Sequence, residues 1–143
     1  MEQADIERRV MKKILAGDHP SLAVLRAQYD IARVDGRDFS GSGFFTHYSV
    51  PAAAPRVSPP RLQLSDLHLE LAGSEYGAGV ILFIDQGVLE TLEVYMWAEE
   101  WPAEPDITAV YYLHETPHAD GRGYDLTPSR ERDLSAMARG LRA

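Results

Sequence analysis

Four groups of residues have types and spacings that could do chemistry. The first is His114-Glu115-Thr116-Pro117-His118, which spells H-E-x-x-H. In a zinc hydrolase the two histidines must stand one helical turn apart, so that both reach the metal while the glutamate activates water. Here Pro117 intervenes, and proline removes a helical donor and turns the preceding residue away from α. The preceding segment, Ala109 to Leu113, reads as a strand. The expectation is a loop after a strand; a non-helical metal site from His114, His118 and Asp120 stays open as a minor reading.

The second group is the glycine pairs Gly41-Ser42-Gly43 and Gly77-Ala78-Gly79. A phosphate cradle needs a longer glycine loop opening onto a helix. Both pairs precede strand patterns, so turns or bulges are expected instead. The third is Ser, His and Asp for nucleophilic catalysis. No G-x-S-x-G elbow occurs, and nothing in the sequence aligns a triad. His47 and His68 sit in strand patterns as ordinary face residues. No catalytic residue, metal or cofactor is therefore expected.

The fourth group lies in one segment. Glu90 and Glu93 fall on opposite faces of a strand, so they cannot act as a carboxylate pair. Glu90 stands between Val88 and Leu92, where a carboxylate needs a partner or a raised pKa. Tyr95, Trp97 and Trp101 lie beside acids and have the character of interface anchors. Glu90, Glu93, Tyr95, Trp97 and Trp101 are the candidate binding residues.

The elements that must position them follow from periodicity. Ile6, Val10 and Ile14, with Met11 and Leu15, make one apolar stripe on a helix that ends at Gly17. Asp18 as N-cap and Pro20 in the first turn open a second helix with Leu22, Leu25 and Tyr29 inward. Residues 1–34 read as the helical part, although Ile31 to Val34 could begin a strand. In residues 39–50, rich in aromatic and β-branched types, Gly41 and Gly43 mark a bend or bulge before a strand, and 51–60, with four prolines, read as a loop. Leucines alternate from Leu62 to Leu71 with a phase shift near Asp66. Val80 to Ile84, the turn Asp85-Gln86-Gly87 and Val88 to Trp97 form a hairpin with apolar residues on both faces. Ile107 to Leu113 is a last strand. Thr127 as N-cap and Pro128 at the first position open a C-terminal helix over 127–141, with the stripe Leu134, Met137, Ala138 and Leu141.

The predicted fold is α+β: N-terminal helices, an antiparallel β-meander of about five strands over 39–114, and a C-terminal helix, all in one domain over 1–143. The second apolar face of the hairpin needs a cover, from the C-terminal helix or from a second subunit.

Length and charge set the limits. A chain of 143 residues buries ~68–70% of its unfolded surface and needs no staple. It has no cysteine, which excludes disulfides, thiolate metal sites and cysteine catalysis. The first ten residues carry three acids and no apolar run, unlike a secretory signal. No stretch approaches the ~20 apolar residues of a membrane span, so a cytoplasmic protein is expected. The net charge of −8 is uneven. Residues 39–121 hold twelve acids against Arg56 and Arg61, while the flanking segments are neutral or slightly basic. Such a segment repels phosphate, so no nucleic-acid partner is expected. It attracts basic partners.

The stretch GAGVILFIDQGVLETLEVYMWAEEWP, residues 77–102, resembles a family of small uncharacterised bacterial proteins, and GSGFFTHYSVP at 41–51 is similar to the same pattern. Together they cover about a quarter of the chain, within a shared region of about 20–110; the tail after Leu113 departs from it. The resemblance implies no activity, though many such domains sit beside toxin–immunity systems. The leading expectation is a non-enzymatic domain that binds a protein or forms a homodimer. The alternatives are an immunity-type inhibitor of a basic toxin, and a ligand or enzyme pocket near Glu90, Tyr95 and His47.

Overall fold

The structure, a computed structural model, describes residues 1–140, with side chains through 137. It is α+β: two N-terminal helices, an eight-stranded antiparallel sheet and a short C-terminal helix. Helices α1 (Gln3–Ile14) and α2 (Pro20–Ile31) precede strands β1 (Arg33–Ser40), β2 (Gly43–Ser49), β3 (Leu62–Leu64), β4 (Leu67–Leu71), β5 (Ala78–Asp85), β6 (Val88–Met96), β7 (Ile107–Pro117) and β8 (Tyr124–Ser129). Helix α3 (Leu134–Gly140) follows. The strands run β1-β2-β6-β5-β4-β7-β8, and β3 also pairs β5.

Both N-terminal helices bury their apolar stripes on one sheet face. Ile6, Val10, Met11, Ile14, Leu22 and Leu25 pack with Phe44, Leu69, Leu82, Leu92 and Val94 in a single core. Pro20 takes the first helical position, so the cap of α2 is His19 rather than Asp18, its ring accepting from the Ser21 N–H at 3.1 Å.

Several expectations need correction. The helical part ends at Ile31, not near residue 34. The sheet has eight strands, not about five, and runs past residue 114; the bend expected at Gly41 to Gly43 is the turn of a hairpin, with the unforeseen strand β1 before it and β2 after it. As an edge strand, exposed along nearly its whole length, β1 lacks the alternation that betrays a strand. The leucine run from 62 splits into β3 and β4, both on β5, which accounts for the phase shift at Asp66. Thr127-Pro128 opens no helix. It lies in β8, where Leu113 faces Pro128 across the pair. A missing N–H is harmless at an outer strand, so the same dipeptide suits either role. The helix starts at Leu134, with Leu134 and Met137 packed inward; Ala138 and Leu141 of the expected stripe lie outside the described side chains.

Buried polar residues fix these layers to one another. Glu7, on the inner face of α1, is almost fully enclosed. Arg37 of β1 donates to both of its oxygens at 2.7 Å, and Thr46 of β2 at 2.6 Å. At the other end of α1, the orphan carbonyls of Ile14 and Ala16 accept from Arg132 and that of Leu15 from Arg26, while the Lys13 carbonyl accepts from the Tyr112 hydroxyl as well as the Ala16 N–H. Arg132 also grips Asp66 with a two-pronged bond, which ties the chain before α3 to the β3–β4 link. Gln28 of α2 donates to Pro55 and Gly87 carbonyls and accepts from the Leu89 N–H, so one amide holds the β5–β6 turn and the proline loop. In that turn Gln86 and Gly87 both have positive φ, 55° and 80°, and a Cβ at Gly87 would meet the Arg56 Cβ at 2.8 Å.

Burial alone would push the Glu7 carboxyl up; hydrogen bonds from Arg37, Thr46 and Gln3 and the Arg37 charge outweigh it and hold it below 4.5. A carboxyl depressed on folding stabilises above its unfolded value and loses that contribution as pH falls through the folded one. Glu7→Gln is expected to cost about 1–3 kcal/mol at pH 7, with the deficit closing below pH 4.5. Urea unfolding of both proteins across pH checks this; a deficit unchanged into acid would contradict it.

Candidate functional site

The sheet has two faces and the helices lie on one. Helix α3 does not supply the expected cover for the other: Leu134 sits against Gly17, on the side of α1 and α2. Among the described residues, no helix covers the outer face.

Cross-strand register builds that face in rows. Asp38, Phe45, Glu93 and Ile81 stand side by side across β1, β2, β6 and β5. Gly36, His47, Thr91 and Phe83 form the next row. On the far side run Gly43, Tyr95, Gly79, His68 and Tyr111. Trp97 follows two residues after Tyr95 and is 58% exposed. Phe45, Ile81, Phe83, Glu93 and Tyr95 are half-buried, shielded by one another.

Tyr95 and Trp97 meet edge-to-face, with centroids 5.1 Å apart. The Tyr95 ring lies over Gly79, where a Cβ would come within 2.4 Å of it. Burial pushes the Tyr95 hydroxyl up, and the Glu93 charge adds to this. Burial likewise raises the Glu93 carboxyl. Burial lowers His68, opposed by Glu70.

The candidate residues thus separate. Glu93, Tyr95 and Trp97 come together on one face. Trp101 leaves the group: its ring packs against Phe44 at 5.3 Å, on the core side. Glu90 does not stand on the apolar face between Val88 and Leu92. Pairing runs from Ile84 with Leu89 to Phe83 with Thr91, so Glu90 is the extra residue of a β-bulge and is exposed. It borders a pocket of about 200 Å³ with Arg61, Phe83 and Asp85, which neither His47 nor Tyr95 lines.

The sequence did not point to Asp38 and Thr91 beside His47. His47 Nε2 lies 2.7 Å from Asp38, and Nδ1 lies 3.1 Å from the Thr91 hydroxyl. The order resembles a nucleophile triad. However, Thr91 is buried on a strand paired on both sides, so its hydroxyl is shielded from a substrate carbonyl. The outward phase of Phe45 and His47 was the available signal; their partners depend on register with distant strands.

The strand expected to end at Leu113 runs on to Pro117, paired with β8, so His114 and Glu115 lie in β7 and not in a loop after it, and they point to opposite faces. His114 bonds the Glu131 carbonyl, whereas His118 bonds the Arg122 carbonyl and Asp125. Among the described residues, no group of three or more His, Asp or Glu is placed to hold a metal. None of the described helices is long and apolar enough to cross a membrane. A cavity of about 320 Å³ opens between α3 and the β7–β8 hairpin, lined by Leu64, Glu115, Tyr124 and Met137 among others; none of Glu90, Glu93, Tyr95, Trp97, Trp101 and His47 lines it.

No family model, curated protein or solved structure matches the chain. What it does must come from its own geometry.

Gly79→Ala tests that geometry. The new methyl displaces the Tyr95 ring, which is half-exposed and free to swing, so the fold is expected to stand while the Tyr95–Trp97 contact is lost. Near-UV circular dichroism should lose aromatic signal with an unchanged far-UV spectrum. An unaltered near-UV spectrum would show that the ring does not lie over Gly79.

Proposed function

We propose that the protein is a non-enzymatic binding domain that docks a basic protein partner on the outer face of its sheet. The observation that carries this reading is an apolar, aromatic face left without a helix and carrying acids. Phe45, Ile81, Phe83, Tyr95 and Trp97 give it apolar area, and Asp38, Glu93, Glu70 and Asp85 give it charge. Exposed apolar patches rimmed by polar groups mark interaction surfaces.

Charge selects the partner. From residue 62 to residue 121 the chain has no Lys or Arg. Of the arginines beside this segment, Arg37 turns inward to Glu7 and Arg61 pairs with Asp85, while Arg33 stands at the start of β1 opposite Ser49. A second copy would bring Glu93 against an equally acidic face, which disfavours the homodimer as occupant. One edge of the sheet is guarded: β1 carries Arg33, Asp35, Arg37 and Asp38 and a bulge between Val34 and Gly36, features that block strand addition. The other edge, β8, has Pro128 in it, and the face remains the surface that combines apolar area with unpaired acids.

The test uses a designed amphipathic peptide of leucine and arginine, with a leucine–glutamate peptide as control. Hydrogen exchange should slow in β2, β5 and β6 with the basic peptide alone. Binding should weaken with added salt, and by about tenfold or more in Phe45→Asp, the loss of one buried apolar anchor. Protection confined to the helical side, or equal binding of the acidic peptide, would overturn the proposal. Sedimentation of the chain alone is expected to show a monomer.

A further inference from the structure

We infer that Glu93, Tyr95 and Trp97 form an anchor site for a single arginine side chain of the partner. Its guanidinium plane lies against the aromatic rings and its N–H fork meets the Glu93 carboxylate. This rests on the docking-face reading and assigns the chemistry at its centre.

Three observations converge. Glu93 and Tyr95 occupy alternate positions of β6, so their side chains leave the same face about 7 Å apart, and Trp97, just past the end of the strand, brings its ring against Tyr95. A flat cation with a fork of donors spans one such step, with the ring centroid within about 6 Å of the charge. The aromatic pair is open: Trp97 meets Tyr95 at 74° and stays 58% exposed. Because Gly79 has no side chain, the Tyr95 ring lies down along the sheet, with the Trp97 ring standing edge-on against it.

The third observation concerns charge. Glu93 stands between Phe45 and Ile81, half-buried in apolar surroundings. Among the described residues it has no ion pair, and burial is the one influence on its carboxyl. The basic groups of this part of the sheet do not supply one. Arg37 holds Glu7, Arg61 holds Asp85, and His47 has both ring nitrogens engaged by Asp38 and Thr91. Arg33 stands four residues further along, opposite Ser49, and burial disfavours the charged form of His68 two strands away. A partly desolvated carboxylate with no internal counter-charge is a cost to the folded chain that an arriving cation relieves. Arginine suits the site better than lysine, because it is less strongly hydrated, stacks on rings and bonds carboxylates in two places.

The probes are N-acetyl-arginine amide, the lysine amide and the uncharged citrulline amide, read by amide and indole NMR shifts on the full chain. The arginine amide is expected to shift Glu93, Tyr95 and Trp97 resonances with a Kd of about 1 mM, the level that a ligand of this size reaches. Lysine should bind several-fold more weakly and citrulline at least tenfold. Trp97→Ala and Glu93→Gln should each weaken arginine at least fivefold, and Glu104→Gln, an exposed loop acid, should leave it unchanged. Both site variants alter a half-buried or exposed side chain, and unchanged amide spectra elsewhere will show that they fold. Equal binding of citrulline, shifts away from β6, or no binding would overturn the anchor. The single amino acids report on the anchor and the amphipathic peptide reports on the face. If the peptide binds and the arginine amide does not, the anchor fails alone; the reverse result rejects the docking face.

Discussion

The attachment of α1 is the constraint on which the other layers depend. Glu7 is held from the sheet by Arg37 and Thr46, and the last carbonyls of the helix are held by Arg132, Arg26 and Tyr112. A buried carboxylate gripped this way cannot slide by one turn without losing its counter-charge. The apolar stripe of Ile6, Val10 and Ile14 therefore meets the sheet in one register. The arginine that caps this helix also fastens the start of α3, so all three helices gather on the same side. The bare face is the direct result.

Gln28 plays a similar part at the hairpin. Its amide satisfies three backbone groups buried beneath the proline loop. Fixing the turn at Gly87 fixes the register of β5 on β6, and that register sets which residues neighbour Glu93 and Tyr95. The outer face is thus positioned by polar contacts made on the opposite side of the sheet.

How much of this was legible in the sequence varies with the residues. The two helices, the turn at Gln86-Gly87 and the antiparallel hairpin follow from local patterns. The alternation of Glu93, Tyr95 and Trp97 could be read as well. The bulge could not: nothing near Glu90 marks it, yet it reverses the phase and carries that carboxylate into solvent. Strand β1 is charged along its length because it is an edge, and it looks like a loop. Thr127-Pro128 satisfies the rules for a helix start and for an outer strand equally. Trp101 reads like its neighbour Trp97, and only the path of the loop after β6, with the Trp101 N–H on the Gly41 carbonyl, turns it toward Phe44. The remaining partners of the face, Phe45, Ile81 and His47, come from strands far apart in sequence, where pairing is a property of the whole fold.

Strand β6 and the residue after it divide two duties between alternate positions. Leu89, Leu92, Val94 and Met96 belong to the core, while Glu93, Tyr95 and, just past the strand, Trp97 stand outside it. Substitutions in the outward set leave the packing of the inward set untouched. A lineage carrying this fold is therefore free to change what it recognises by altering three or four outward residues, with no repacking of its interior.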